Sequence, residues 1–292
     1  MIHPERATAL FLAALAWNSA FAVSLSLDAS TTWADNISRS ALAADQTDAF
    51  FHDAHLTASH LQPLATGLSL IAEASAGYEV VPRFPQNSAY LGGATAALRK
   101  KFGIGAFAPV LVSEIGLQRR EARIAGDNSW IASGALRFSQ RFTDAWRASI
   151  SGDWEQHYAA HSTFDVRHHR LFGTLTWDIT DRWQLSGGHG RLWGDFDANA
   201  SWSTWGRALG GLISPVVASY YNTISWEVTN AYGPGWVTYR VTGHSDFWWL
   251  ELSPALGANT SLPLRYEGST TVNRAGIKYE QYGWTLGVLH RF

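Results

Sequence analysis

From Val23 to the end of the chain, apolar residues fall on one parity and polar or small residues on the other, with no sustained 3.6-residue stripe. That period predicts strands. One face of the clearest segment carries Trp130, Ala132, Gly134, Leu136 and Phe138, and the other carries Ser133, Arg137, Ser139 and Arg141. After Thr143-Asp144-Ala145 the alternation resumes, with Trp146, Ala148, Ile150, Gly152 and Trp154 opposite Arg147, Ser149, Ser151, Asp153 and Glu155, which predicts a hairpin closed by a tight turn. Leu171, Gly173, Leu175, Trp177 and Ile179 run against Arg170, Thr174, Thr176 and Asp178, and Thr180-Asp181-Arg182 then leads into Trp183 and Leu185. The two hairpins share one plan: a Thr-Asp turn followed by Trp.

Alternation alone fits a water-soluble sandwich as well as a barrel. The aromatics separate them, because Trp sits at strand ends and Leu, Ala, Gly and Val at strand centres, the distribution of a lipid-facing band between two aromatic girdles. Composition agrees. Charged residues make up 16% of the chain, against roughly 25% in soluble domains, and there are 15 Trp and 26 Gly. The fold class expected is all-β, a closed antiparallel transmembrane β-barrel. At ~10 residues per spanning strand, about twelve strands fit, with fourteen the alternative. The strand count is ambiguous between Gly233 and Thr271, where Phe247 to Leu252 and Pro254 to Glu267 admit more than one threading.

The first residues read as a secretory signal peptide, residues 1–22. Arg6 precedes an apolar stretch from Ala7 to Trp17, and Ala20-Phe21-Ala22 supplies a small-x-small cleavage site. The barrel is then expected over 23–292. Polar stretches at Ala34 to Asp53, Val81 to Ser88, Ile124 to Asn128, Ala159 to Asp165 and Gly194 to Pro215 alternate with the tight turns. Long exterior loops and short periplasmic turns imply an even strand number and both termini in the periplasm of a Gram-negative cell.

The last strand places Trp284, Leu286, Val288, His290 and Phe292 on one parity and stops on Phe292. It resembles the C-terminal signature of bacterial outer-membrane β-barrel proteins, with His290 departing from the usual apolar residue. The resemblance implies an outer-membrane address in contact with outer-membrane lipid. It also makes the barrel-assembly machinery a partner that reads Trp284, Leu286, Val288 and Phe292. Strand Val23 to Trp33 would pair with Trp284 to Phe292 and remove the edges that lipid forbids. Trp33-Ala34-Asp35-Asn36-Ile37-Ser38-Arg39 looks like a segment near the start of barrels associated with exopolysaccharide export or surface-lipoprotein delivery. It is also ordinary Asx-turn chemistry.

A net charge of −2 offers no basic field for nucleic acid, and the absence of Cys excludes thiolate chemistry. Nothing in the chain calls for a cofactor. The polar parity supplies candidate lumen residues: Arg99, Glu114, Gln118, Arg120, Arg137 and Asp153, then Glu155, Arg170, Asp178 and Glu227, then Arg240, Arg274, Lys278 and Glu280. Such a mixed interior either lines a water channel or zips itself through Arg–carboxylate pairs. His157, Tyr158, His161, His168 and His169 cluster about one loop but lack a metal-ligand spacing, so no metal site is expected. Ser162 beside His161 and Ser245 beside His244 are the suggestive neighbours for a hydrolase. Adjacent strand residues point to opposite faces, and no G-x-S-x-G turn occurs, so no catalytic residue is assigned.

Gly194 to Pro215, with Trp193, Phe196, Trp202 and Trp205 among its glycines, reads either as an extended hairpin above the membrane or as a segment folded inward. Folded inward, it would make a constriction or stack a polysaccharide. The function expected is a non-enzymatic, porin-like transport barrel passing a small hydrophilic solute or a polymer. The alternatives are a closed barrel binding a partner through its exterior loops and, third, an outer-membrane lipid hydrolase.

Overall fold

The computed structural model describes residues Val23–Phe292. The expected signal peptide lies outside the described residues. Twelve antiparallel strands close into a barrel: β1 (Val23–Ala34), β2 (Ala49–Ala65), β3 (Leu68–Val80), β4 (Ala89–Lys101), β5 (Val110–Ala122), β6 (Ser129–Arg141), β7 (Trp146–Ala159), β8 (Arg167–Thr180), β9 (Trp183–Ala200), β11 (Val237–Pro254), β13 (Leu264–Asn273) and β14 (Lys278–Arg291). Each pairs with its sequence neighbour. The sheet closes where Ala29 stands opposite Val288 and Trp33 opposite Trp284, the seam expected from the terminal strands. Two short strands lie off this ring. β10 (Trp226–Val228) pairs with β11, and β12 (Thr260–Ser261) pairs with β14 in the same register as β13, the break between them falling at Pro263, which has no N–H to give a ladder.

The sandwich alternative fails on exposure. Ile115 is 68% exposed, Leu286 56%, and Ile150 and Leu136 53% each, so the apolar parity faces outward while the serines, threonines and charges of the other parity face the interior. That is the inverse of a water-soluble sandwich, and it is stable only where hydrocarbon replaces water. Opposed aromatics mark the rims of this band. Trp146 stacks on Trp177 at 5.4 Å and Tyr266 on Trp284 at 4.4 Å.

The strands tilt. Directly opposed residues run from Leu27 through Leu56, Ala76, Gly92 and Arg119 to Trp130, climbing from mid-strand in β1 to the loop end of β6. Turn chemistry follows the sequence plan. Thr143 Oγ1 accepts from the amides of Ala145 and Trp146, and Thr180 Oγ1 accepts from that of Arg182.

The longest connections, 35–48 and 201–236, lie at one end, and the tight turns 66–67, 142–145 and 181–182 at the other, where Val23 and Phe292 also lie. The loop at 81–88 falls where expected, whereas β2 begins at Ala49, earlier than the polar run ending at Asp53 suggested. The largest departure lies between β9 and β11. The segment is longer than the Gly194 to Pro215 read from sequence, running over 201–236, and it holds two helices, α1 (Trp202–Leu209) and α2 (Pro215–Tyr221). Serines cap both: Ser201 accepts from the Thr204 amide and Ser214 from the Val216 amide, with Pro215 opening α2.

Candidate lumen and its cap

Because the side-chain period in a strand is two, the register fixes which residues share the inner wall. Arg99, Glu114, Gln118, Arg120, Arg137, Asp153, Glu155, Arg170 and Asp178 all fall there. Part of this set is zipped. Arg170 Nε is 2.8 Å from Asp153, Arg141 is 2.7 Å from Asp178, and Arg120 is 2.5 Å from Glu79 and 3.0 Å from Asp127 in the β5–β6 loop. Burial pushes the Asp127 carboxyl above the usual aspartate range against the pull of Arg120. Glu155 holds His157 at 2.7 Å, with His168 at 3.8 Å. The rest is open: among the described residues, Arg99, Glu114 and Arg137 have no ion-pair partner.

One sector of the wall is aromatic. Phe172, Phe247 and Trp249 point inward from β8 and β11, Trp249 meeting Phe172 edge-on at 5.8 Å, and Arg265 of β13 lies 5.1 Å over the Trp249 ring. Glycine makes the room. A Cβ at Gly188 would sit 2.2 Å from the Trp249 ring, and one at Gly190 would sit 2.4 Å from Phe172 Cβ. Sequence reading missed this sector because Phe247-Trp248-Trp249-Leu250 is apolar on both parities.

Above the band, β9 and β11 continue as a two-stranded ribbon. In a ring of twelve, this pair stands diametrically opposite the pair β3 and β4. The segment nevertheless reaches that far side: Asn87 Nδ2 donates to the Ala231 carbonyl at 3.1 Å, and Phe84 meets Tyr232 edge-on at 5.0 Å. On the way it contacts the other long loops. Tyr232 donates to the Ile37 carbonyl, Arg39 pairs with Asp197 at 3.0 Å, His161 binds Glu227 at 2.6 Å, and Arg240 donates to the Asp165 carbonyl. A segment anchored on one wall and bonded to the loop across the diameter crosses the mouth. It is a cap.

The cap contains a hydrophobic core. Ala198, Ala200, Val237 and Val241 of the ribbon, Trp205 and Ala208 of α1, Val217 and Tyr221 of α2 and Tyr279 of β14 are all buried together. Trp205 is 1% exposed and packs in a triangle of rings with Tyr239 at 4.7 Å and Tyr221 at 5.1 Å. Truncating such a side chain to Ala costs about 3–5 kcal/mol. Burial also pushes the Tyr221 and Tyr232 phenols above their usual range.

Five residues expected on the lumen wall lie elsewhere. Glu227 is in β10 of the cap, Arg240 is on the parity opposite Tyr239, Arg274 is in the β13–β14 turn, and Lys278 and Glu280 share the outward parity of Trp284 and pair with each other at 2.5 Å. The alternation runs on past the membrane rim, but there it no longer reports on lumen against lipid. The aromatics of the long segment also divide. Trp193 is on the outward parity, stacked on His169 at 5.5 Å, Phe196 meets Tyr279 inside the cap, Trp202 is exposed and Trp205 is buried. Asn36, within the segment likened to export barrels, is a turn residue: its side chain donates to the carbonyls of Ser40 and Glu280 and accepts from Ser38 and Ser40.

No family model and no curated protein matches this chain. Solved structures do. The COG4313 outer membrane channel from Pseudomonas putida F1 superposes with a TM-score of 0.60 over 93% of this chain and 96% of that one, at 10% identity. By fold, the chain is an outer-membrane β-barrel. The NanC porin covers 90% of this chain and 98% of its own at 8% identity and a TM-score of 0.46, and the outer membrane channel DcaP of Acinetobacter baumannii covers 93% and 97% at 8% and 0.45.

Within the barrel, neither suggestive Ser–His neighbour forms a working pair. His161 is held by Glu227 while Ser162 donates to Ser225, and Ser245 faces the interior, accepting from Thr271, while His244 faces outward. Among the described residues, no group of His, Asp and Glu has the geometry to hold a metal ion.

Proposed function

We propose that the barrel is a capped channel passing a small hydrophilic solute through its lumen. The observation that carries this reading is the row of unpaired charges on the inner wall. A barrel built only as a closed scaffold gains by pairing every buried charge, because an unpaired ion away from water costs several kcal/mol. Among the described residues, Arg99, Glu114 and Arg137 are instead left without ion-pair partners, which suits a water-filled path. Trp249 beneath Arg265 adds a flat apolar surface with a cation over it, suited to a solute with both a polar rim and a planar or sugar-like face. A polymer would need the cap to swing aside. The test is single-channel recording in planar bilayers with the refolded protein: discrete steps that change size when Arg137 is neutralised support the reading, and silence from folded protein ends it.

A second reading, a surface-interaction barrel, is favoured by the large apolar residues that the cap helices and the turn between them leave exposed, Leu212 at 75%, Val216 at 68% and Trp202 at 54%. Replacing 201–236 with a short linker separates the two. Loss of cell or polysaccharide binding with unchanged conductance favours interaction, and raised conductance favours a capped channel.

A further inference from the structure

Between α1, α2 and the β1–β2 loop lies a cavity of about 280 Å³. Its wall is mostly apolar: Ala200, Ala208, Ile213, Val217 and Ile277 line it together with Trp205, Tyr221 and Tyr239. Leu42 and Ile213, which line it, are 39% and 41% exposed, so the cavity opens to solvent.

Set into this apolar wall is one carboxylate, Asp45, only 5% exposed. A backbone amide, that of Ser201, donates to Oδ2 at 3.0 Å, and among the described residues nothing donates to Oδ1. The cations nearby are committed elsewhere, Arg39 to Asp197 at 3.0 Å and Lys278 to Glu280 at 2.5 Å. Asp45 and Tyr239 line the same cavity. A buried carboxylate without a counter-ion is costly, and the usual compensation is a cation or a second set of donors. Trp205, Tyr221 and Tyr239 line the same cavity, and stacked indole and phenol rings are surfaces that attract ammonium groups.

We propose that this cavity binds a small organic ammonium ion, its apolar or aromatic body against Trp205, Tyr221 and Tyr239 and its ammonium on Oδ1 of Asp45. Lys278 also lines the cavity, but its ammonium is held by Glu280, so a carboxylate of the same shape would be repelled by Asp45 and a neutral alcohol would bind without the ion pair. This site is independent of conduction. It would stand in a barrel that proved electrically silent.

The probe is 2-phenylethylammonium, titrated calorimetrically into the refolded protein in detergent beside the neutral 2-phenylethanol. We expect one ammonium per chain, the alcohol weaker by about ten- to hundredfold, and the same loss for the ammonium in Asp45→Asn, which keeps the acceptor for the Ser201 amide. Ala208→Phe, which fills the cavity, should abolish binding while leaving the heat-modifiable gel shift of the folded barrel intact. Equal affinity for alcohol and ammonium, unchanged affinity in Asp45→Asn, undiminished binding to Ala208→Phe, or no binding at millimolar probe would each overturn the proposal.

Discussion

Gly194 of β9 and Gly243 of β11 stand directly opposite one another, and neither has room for a side chain. Gly194 holds φ at +134°, where a Cβ would lie 2.2 Å from the Arg167 carbonyl oxygen, and a Cβ at Gly243 would lie 2.1 Å from that of Val272. The ribbon therefore presses against β8 on one side and β13 on the other at the level where it leaves the barrel wall and turns across the mouth. Glycine at both positions lets it do so.

Gly194→Ala should then strain this bend by about 1–3 kcal/mol, borne by the cap rather than by the barrel. Limited trypsin digestion reads it: cleavage after Arg207 in α1 should accelerate relative to wild type while the barrel keeps its resistance to heat and detergent. Equal digestion rates would mean that the bend is set elsewhere.

Neutralising Arg137 should lower anion preference. With no ion-pair partner and an exposed side chain, its charge acts on the lumen undiluted, and one charge at a few ångströms in water is worth about 1 kcal/mol, or roughly fivefold in ion preference. Arg137→Gln should shift the reversal potential across a salt gradient toward cations. Neutralising Arg170, paired with Asp153 at 2.8 Å, should instead strand a carboxylate and cost stability.

The fold was legible because a bilayer imposes a strict period. Trp130 to Phe138 and Trp146 to Trp154 alternate since one parity meets hydrocarbon and the other the lumen, and Thr143 and Thr180 place the turns by their own hydroxyls. The cap obeys no such period. Above the rim both faces of the ribbon are covered, Tyr239 by Trp205 and Arg240 by the Asp165 carbonyl, so alternation ceased to report on environment. The unpaired state of Arg137 was also invisible, because pairing depends on which wall position lies alongside, and that is a property of the register.

Replacing 201–236 with a short Gly-Ser linker should raise single-channel conductance. The segment's bonds to the loops around the mouth, Asn87 to Ala231, Tyr232 to Ile37 and His161 to Glu227, are contacts of the cap and take no part in the strand ladder. Barrel closure through Trp33 and Trp284 is untouched, so the heat-modifiable gel shift should persist. An unchanged conductance with a folded barrel would place the narrowest point lower, at the sector of Phe172, Phe247 and Trp249.

Alkali should loosen the cap before the barrel. Tyr221 is buried, its hydroxyl is 3.0 Å from that of Tyr279, and burial holds its pKa above the value of about 10 that a free phenol has. With the folded pKa raised, the stabilising contribution is fully present below pH ~10, where both folded and released phenols are neutral. Above that pH a released Tyr221 ionises while the buried one does not, so the stability drains away as pH rises toward the folded pKa. Cleavage after Arg207 should therefore begin at alkaline pH while the barrel remains intact. In Tyr221→Phe, compared with its own behaviour at neutral pH, the onset should move higher, the residual sensitivity belonging to Tyr239 and Tyr279. An onset that does not move would assign the alkaline transition to those two phenols alone.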